Sequence, residues 1–140
     1  MELDFAFLAD AATIDAGKLN VIGGSIDTLW AKKTPVVHPY MTLVIKFILA
    51  ADEVEKSHKL EVFAMDSDGK RVFSTAGEFI PSRVQSLETW KPQGHLMAMN
   101  LINTRFEKFG DYSIEIVVDG LSVKSLPLRI TEQIEEGALH

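Results

Sequence analysis

Hydrophobic and polar side chains alternate in short runs along most of the chain, and residues typical of turns separate these runs. Alternation with a period of two is the pattern of a β-strand with one buried and one solvent-facing side. The pattern predicts eight strands: Leu3–Ala11, Leu19–Ala31, Tyr40–Leu49, His58–Met65, Arg71–Ile80, His95–Asn103, one that begins at Tyr112, and Leu121–Ile130. No long helix is predicted. The expected fold is therefore all-β, an antiparallel β-sandwich of about eight strands of the immunoglobulin-like type.

The third predicted strand has the clearest alternation. Its inward positions are expected to be Met41, Leu43, Ile45, Phe47 and Leu49. Val44 and Ile48 are apolar on the opposite side of the same strand. Apolar residues on both sides indicate a strand that is covered on both faces, so this strand is predicted to lie centrally in its sheet.

Two of the predicted strands change the parity of their apolar positions partway along. In the second strand the change falls between Val21 and Ile26, and we predict a β-bulge at Gly23–Gly24 that resets the parity. In the last strand we predict a bulge at Ser125–Leu126 for the same reason. Pro127 lacks a backbone N–H, which favours an edge position for that strand.

Short polar segments mark the connections. Asp15–Lys18, Asp66–Gly69 and Asp119–Gly120 are predicted to be tight hairpin turns, because Gly and Asp tolerate the left-handed backbone that such turns need. Tyr112 follows Gly110 at the start of a strand. This position is consistent with a tyrosine corner, in which the hydroxyl group bonds to backbone just upstream.

The length of 140 residues fits one domain, predicted over residues 1–131, with an acidic C-terminal tail at 132–140. The chain has no cysteine, which excludes disulfides, thiolate nucleophiles and cysteine-ligated metal centres. No apolar run approaches the roughly 20 residues of a membrane helix. The start Met-Glu-Leu-Asp lacks the positive charge of a secretory signal. A cytoplasmic location is expected.

The chain is acidic, with 14 Lys and Arg against 20 Asp and Glu and a net charge of −6. Proteins that bind nucleic acid usually carry a basic stripe that neutralises phosphates. The longest basic runs here are Lys32–Lys33 and Lys70–Arg71, each two residues long. We therefore expect neither a nucleic-acid partner nor docking on an anionic membrane.

One block of sequence carries a family resemblance: Phe7-Leu-Ala-Asp-Ala-Ala12, then Gly17-Lys-Leu-Asn-Val-Ile-Gly-Gly24, then Trp30. It resembles a family of small uncharacterised bacterial β-sandwich proteins, a domain of unknown function. Weaker similarity continues at His58-Lys-Leu60, Asp68-Gly69 and Gly110-Asp-Tyr112, so that it spans about residues 5–130. Ser25 stands where many members carry a third glycine. The resemblance implies a β-sandwich and carries no catalytic residues with it.

The polar side chains form no recognisable catalytic or metal-binding spacing. The four histidines are scattered, and we expect His58 and His95 at the solvent edges of strands, where they form a weak site only if they are neighbours. Asp10 is either a ligand-binding or catalytic carboxylate or, the interpretation we favour, an acceptor of backbone N–H groups in the turn before Gly17. No cofactor, no metal site and no catalytic residue is predicted, and the protein is expected not to be an enzyme.

The long predicted loop 81–94 contains Leu87 and Trp90, which we predict as possible contacts for a partner protein. The alternative for Trp90 is that it folds back and covers an open end of the sandwich. The function we predict is a non-enzymatic module that binds another protein or assembles with itself. The alternative is a small-ligand binder or enzyme with a pocket at one end of the sandwich, lined by loops 32–39, 50–57 and 81–94.

Overall fold

A computed structural model of the chain describes residues 1–85, 88 and 90–134. The described residues form nine strands: β1 Glu2–Asp15, β2 Lys18–Gly24, β3 Thr28–Ala31, β4 Val36–Leu49, β5 His58–Asp66, β6 Arg71–Phe79, β7 Gln93–Phe106, β8 Gly110–Val118 and β9 Leu121–Glu132. A single 3₁₀ turn at Ala51–Glu53 follows β4. No helix within these described residues has the length and apolar character needed to cross a membrane.

The strands form two sheets that pack face to face as a β-sandwich. The first sheet has the order β2-β1-β4-β7 and the second has the order β3-β9-β8-β5-β6. β4 lies between two neighbours, as its apolar residues on both sides predict. Its five predicted inward residues, Met41, Leu43, Ile45, Phe47 and Leu49, are all fully buried. They pack against β5 and β8, whose inward side chains alternate in the same way.

The parity change near Gly23 has a different origin from the one the sequence suggests. β2 ends at Gly24, residues 25–27 cross from the first sheet to the second, and β3 then pairs in parallel with Arg129–Glu132 of β9. The crossing is held by two backbone hydrogen bonds, from the Ile26 N–H to the Leu8 carbonyl (2.9 Å) and from the Arg129 N–H to the Asp27 carbonyl (2.8 Å). The bulge predicted at Gly23–Gly24 is wrong, because the chain changes sheet and thereby changes which side is inward.

The last strand does contain a bulge, slightly earlier than predicted. The pairing of β8 with β9 shifts between Ile116, which pairs with Lys124, and Val117, which pairs with Ser122. The extra residue is Val123 rather than Ser125 or Leu126. Pro127 lies before the stretch of β9 that pairs with β3, so this part of β9 forms an edge, as the proline indicates.

The β1–β2 hairpin curls back over the outer face of the first sheet. Gly17 and Leu19, at its turn, line one cleft together with Lys46 of β4 and Gly94 of β7. Thr42 alternates with the inward residues of β4 and therefore points outward, yet it is fully buried. The turn of the hairpin covers the part of this outward face beside Lys46 and Gly94.

The tyrosine corner predicted at Tyr112 is confirmed. The Tyr112 hydroxyl donates a hydrogen bond of 2.7 Å to the Lys108 carbonyl, four residues upstream. Its ring is buried and meets Phe106 edge-on, with ring centres 5.0 Å apart. A buried hydroxyl needs such a partner, and this one fixes the direction in which the chain approaches β8.

The loops gather at two opposite ends of the sandwich. Segments 50–57 and 81–85 meet at one end, where the Glu55 N–H donates to the Pro81 carbonyl over 2.8 Å. Segment 32–35 lies at the other end, because it precedes the start of β4 whereas segment 50–57 follows its finish. The three loops expected to line one pocket therefore do not converge. We call the two ends the His58 end and the Asp10 end, after the polar residues described below.

Candidate functional site

β7 is a long strand on the open edge of the first sheet. It runs for 14 residues and pairs with β4 on one side. Apart from that pairing, residues 94–106 make no backbone hydrogen bond to the rest of the described chain. Its outward row of N–H and C=O groups is therefore available to another strand.

The side chains of β7 do little to protect this edge. From Gly94 to Thr104 the only titratable side chain is His95. Burial, together with the nearby charge of His58, lowers the pKa of His95, so this imidazole is neutral at physiological pH. Ile102 is 64% exposed, and its cross-strand neighbour Tyr40 is exposed beside it. Natural edge strands usually carry charges, prolines or bulges that discourage further pairing.

The other edges of the described sheets are shorter or better protected. β6 carries Arg71 and Glu78 within nine residues. β3 has only four residues, and β2 begins with Lys18 and runs for seven. β7 is therefore the edge with the longest uncharged stretch.

Trp90 lies just before β7 and points into solvent, with 70% of its surface exposed. The Lys91 ammonium group lies 5.4 Å from the centre of the Trp90 ring, and the same group pairs with Glu88 at 3.4 Å. Trp90 therefore does not cover the open end of the sandwich. Leu87, predicted as a partner contact with Trp90, lies outside the described residues.

The His58 end holds a chain of paired polar groups. Nδ1 of His58 lies 2.7 Å from an oxygen of Asp119, and Nε2 lies 2.7 Å from the Glu53 carbonyl oxygen. The Glu53 carboxylate accepts a hydrogen bond of 2.7 Å from the amino group of Met1. The second Asp119 oxygen accepts from the Lys59 N–H. Each imidazole nitrogen thus faces an acceptor, which is the environment of a protonated ring.

The expectation that His58 and His95 occupy solvent edges is wrong for His58, which is buried. Both rings contact Phe79, with ring centres 5.4 Å and 5.3 Å from it. Burial alone would lower the pKa of His58, but the hydrogen bonds to Asp119 and to the Glu53 carbonyl outweigh it and raise that pKa. The same hydrogen bond lowers the pKa of Asp119. Both ring nitrogens of His58 are occupied, so this pair is structural.

The Asp10 end contains an open cleft of about 460 Å³ beside the crossing segment 25–27. Its lining includes Asp10 from β1, Gly23 from β2, Trp30 from β3 and Gln133. Asp10 lies within β1 and not in the turn before Gly17, so the favoured capping role is wrong. A Cβ atom placed on Gly23 would come within 2.1 Å of an Asp10 carboxylate oxygen, so the glycine leaves the space that this carboxylate occupies.

His38 lies close enough to Asp10 for the carboxylate charge to affect it. Burial is the largest influence and lowers the pKa of His38, while the Tyr40 backbone and the charge of Asp10 oppose that shift. Its Nε2 atom is buried and has no hydrogen-bond partner in the described part of the chain. Buried polar atoms without partners are rare in folded proteins.

Sequence reasoning found Trp90 but missed most of these features. Asp10 and Trp30 are separated by 20 positions, and only the change of sheet at residues 25–27 brings them to one cleft. The edge position of β7 depends on strand order, which alternation does not encode. Within the described ranges, no group of three or more His, Asp or Glu side chains is arranged to hold a metal ion.

Solved structures similar to this chain have β-rich domains. The structure titled "Crystal structure of the C-terminal domain of wzt" aligns with a TM-score of 0.52 and 11% identity, over 99% of this chain and 82% of that one. A β-glucuronidase from glycoside hydrolase family 2 aligns with a TM-score of 0.36 and 14% identity, over 68% of this chain and 11% of its own length. The first likeness supports the β-sandwich fold.

The sequence comparisons give a family and no characterised relative. No curated protein matches the chain. A family model described as "Family of unknown function (DUF6941)" matches residues 4–131. The matched range includes all nine strands apart from the first two residues of β1 and the last residue of β9, so the family model covers the whole sandwich.

Proposed function

We propose that this chain, which belongs to the family of unknown function DUF6941, is a non-enzymatic self-assembly module in which β7 of one copy pairs with β7 of a second copy. The observation that carries the proposal is the open edge of β7. Fourteen residues at the usual rise per residue give an edge of about 45 Å. A row of backbone donors and acceptors of that length is complementary to another strand.

Antiparallel pairing about a two-fold axis fits this edge. Two identical strands then meet without charge repulsion, because the stretch from Gly94 to Thr104 carries no charged side chain at neutral pH. The same geometry brings the start of one β7 next to the finish of the other. Trp90 of one copy then lies near Arg105 of its partner, a pairing of aromatic ring and guanidinium that is favourable at interfaces.

The proposal that the module is not an enzyme is supported by the His58–Asp119 pair. This pair is the closest approach to a catalytic dyad in the described chain, and its imidazole already makes two hydrogen bonds. The net charge of −6 favours a protein partner over nucleic acid or an anionic membrane. A bacterial origin and a cytoplasmic location stay predictions, consistent with a chain that has no cysteine.

The test is the native mass of the protein, measured by light scattering over a range of concentrations. We expect a dimer for the wild type and a monomer for Ala98→Lys, which places a charge in the middle of the β7 edge. Ala76→Lys is the matched control, because Ala76 is an exposed alanine on the other long edge strand, β6. Trp90→Ala is expected to weaken the dimer about tenfold through loss of the aromatic contact.

Disulfide cross-linking tests whether the β7 strands of two copies meet at Ala98, as antiparallel pairing about a two-fold axis requires. The natural chain has no cysteine, so an Ala98→Cys variant can form only intermolecular disulfides. We expect rapid oxidation of this variant to a covalent dimer, and slow oxidation of Ala76→Cys. A wild type that is monomeric at all concentrations, or a dimer that Ala98→Lys and Ala76→Lys weaken equally, contradicts the proposal.

A further inference from the structure

The Asp10 end carries a groove on a different part of the surface from β7. The cleft beside Trp30 and a second cleft of about 470 Å³ share two lining residues, Asp27 and Thr28. The second cleft extends to Asp111 and Arg129. The two clefts thus flank the segment where the chain crosses between the sheets, and we call the pair the crossing groove.

An aromatic surface forms part of the crossing groove. Trp30 lines the first cleft and is 45% exposed, although it lies at the centre of strand β3 and its neighbour Ala31 is buried. An indole ring has an electron-rich face, which attracts the weakly positive C–H groups on one face of a saturated, hydroxylated ring. An exposed tryptophan inside a cleft therefore favours a ligand with an apolar face.

Polar side chains surround this aromatic surface. Asp10 accepts no hydrogen bond from any residue in the described ranges, and its carboxylate occupies the space that Gly23 leaves. Ser25 and Gln133 also line the cleft, and the backbone of Gln133 is fixed by a 2.8 Å hydrogen bond from its N–H to the Ala31 carbonyl. A carboxylate accepts hydrogen bonds, whereas an amide and a hydroxyl both donate and accept. A ligand rich in hydroxyl groups satisfies both kinds of partner.

The charges of the crossing groove select against anions. Asp10, Asp27 and Asp111 contribute three carboxylates. The guanidinium group of Arg129, the one cation in the lining, is paired with Asp111 at 2.9 Å. A phosphate or a uronic acid would approach Asp10 and Asp27 with no unpaired cation in the lining to compensate their charges. The ligand class that remains has an apolar ring face, many hydroxyl groups and no negative charge.

From these observations we infer that the crossing groove binds a neutral oligosaccharide. Trp30 stacks on the face of one sugar ring, and Asp10 and Gln133 hydrogen-bond to its hydroxyl groups. The second cleft, on the other side of Asp27 and Thr28, offers room for further sugar units. This site is independent of the β7 edge and does not depend on the proposed assembly.

The two tryptophans allow a direct fluorescence test. Trp90→Phe leaves Trp30 as the only indole, and Trp30→Phe leaves only Trp90. Both variants are titrated with cellohexaose, maltohexaose and mannohexaose. We expect a saturable change in the emission of Trp90→Phe with at least one of the three sugars, and no change in Trp30→Phe. Adding Asp10→Asn to Trp90→Phe should weaken that binding about tenfold, because a hydrogen bond to a charged acceptor is lost.

Calorimetry on the wild type and on Asp10→Asn provides a second readout that needs no tryptophan replacement. Asp10 is exposed, so its replacement by asparagine leaves the fold intact. The inference is overturned if none of the three sugars binds. It is also overturned if tetramethylammonium chloride saturates Trp30 and the sugars do not, or if sugar binding is unaffected by Asp10→Asn.

Discussion

The two ends of the sandwich treat the same kind of side chain in opposite ways. At the His58 end, a buried imidazole has a hydrogen-bond partner on each nitrogen. The two acceptor residues, Asp119 and Glu53, also accept hydrogen bonds through other oxygens, from the Lys59 N–H and the Met1 amino group. At the Asp10 end, His38 has a buried Nε2 atom without a partner within the described chain. The comparison indicates that a polar group has a structural role where other groups of the chain satisfy its hydrogen bonds. Where they are left unmade, the group is open to water or to a ligand.

The pKa shifts follow the same division. Burial opposes protonation of His58, but the acceptors around the ring outweigh burial and raise its pKa, so they favour the protonated form. Burial around His38 lowers its pKa, and the opposing influences of Tyr40 and Asp10 do not overcome it. The His58 end therefore favours the protonated imidazole, and the Asp10 end favours the neutral one.

The largest effect on the difference between the two ends is expected when the His58 ring is removed. His58→Ala is expected to lower the free energy of unfolding by about 3 kcal/mol, because two hydrogen bonds to a charged donor are lost and their acceptors are left without it. His95→Ala is the control, since His95 stacks on the same Phe79 ring and should cost only about 1 kcal/mol. Urea denaturation measures both values. Equal losses would mean that ring packing, and not hydrogen bonding, stabilises this end.

The next largest effect is expected at Gly23, at the opposite end. Gly23 has φ = +62°, and an added Cβ atom would collide with the Asp10 carboxylate. Gly23→Ala should lower the free energy of unfolding by about 1–2 kcal/mol. Gly77→Ala in β6, where an added Cβ atom meets open space, should change it by less than about 0.5 kcal/mol. Adding Asp10→Ala should recover part of the Gly23→Ala loss, and no recovery would show that backbone strain alone causes it.

The dependence of stability on pH sharpens the contrast, because the two histidines should act with opposite sign. A raised pKa makes the His58 contribution complete below the unfolded value of about 6.5, and it is lost as pH rises through the folded value. A lowered pKa makes His38 reduce stability as pH falls below about 6.5. The measurement is urea denaturation of the wild type, His58→Gln and His38→Gln across this range.

The stability difference between wild type and His58→Gln should shrink as pH rises above about 6.5. The wild type should lose stability relative to His38→Gln as pH falls below about 6.5. If both differences change in the same direction with pH, the two ends do not differ in the way described.

The smallest effect is expected for His38→Phe. The substitution removes the unpartnered Nε2 atom and the bond to the Tyr40 backbone together. The relief of one and the loss of the other should nearly cancel, so the free energy of unfolding should change by less than about 0.5 kcal/mol. A loss as large as that of His58→Ala would show that Nε2 has a partner in solution.

The alternation of apolar and polar residues was enough to predict strands that pair with a neighbouring strand on both sides. In β4, every second residue from Met41 to Leu49 is buried as expected, because a period of two is a direct consequence of strand geometry. The hairpin turn at Asp66–Gly69 and the tyrosine corner at Tyr112 are equally local. Their residues lie within a few positions of one another, so the sequence contains the whole interaction.

The change of sheet after Gly24 could not be recognised in the same way. A bulge and a crossing between sheets both reverse the parity of apolar positions. Which of the two occurs depends on whether Thr28–Ala31 pairs with β1, the neighbour of β2, or with β9. β9 lies far along the chain, so nothing local distinguishes the two. The burial of His58 was missed for a similar reason, because its partner Asp119 lies 61 residues away in the β8–β9 turn.

The parallel pairing of β3 with β9 has a consequence for how the protein is made. β3 has one strand neighbour, and that neighbour is formed by Arg129–Glu132. While the chain is still being synthesised, Thr28–Ala31 has left the ribosome but its partner has not yet been translated. The second sheet therefore cannot be completed until Arg129–Glu132 has been translated, and until then β3 has no strand neighbour.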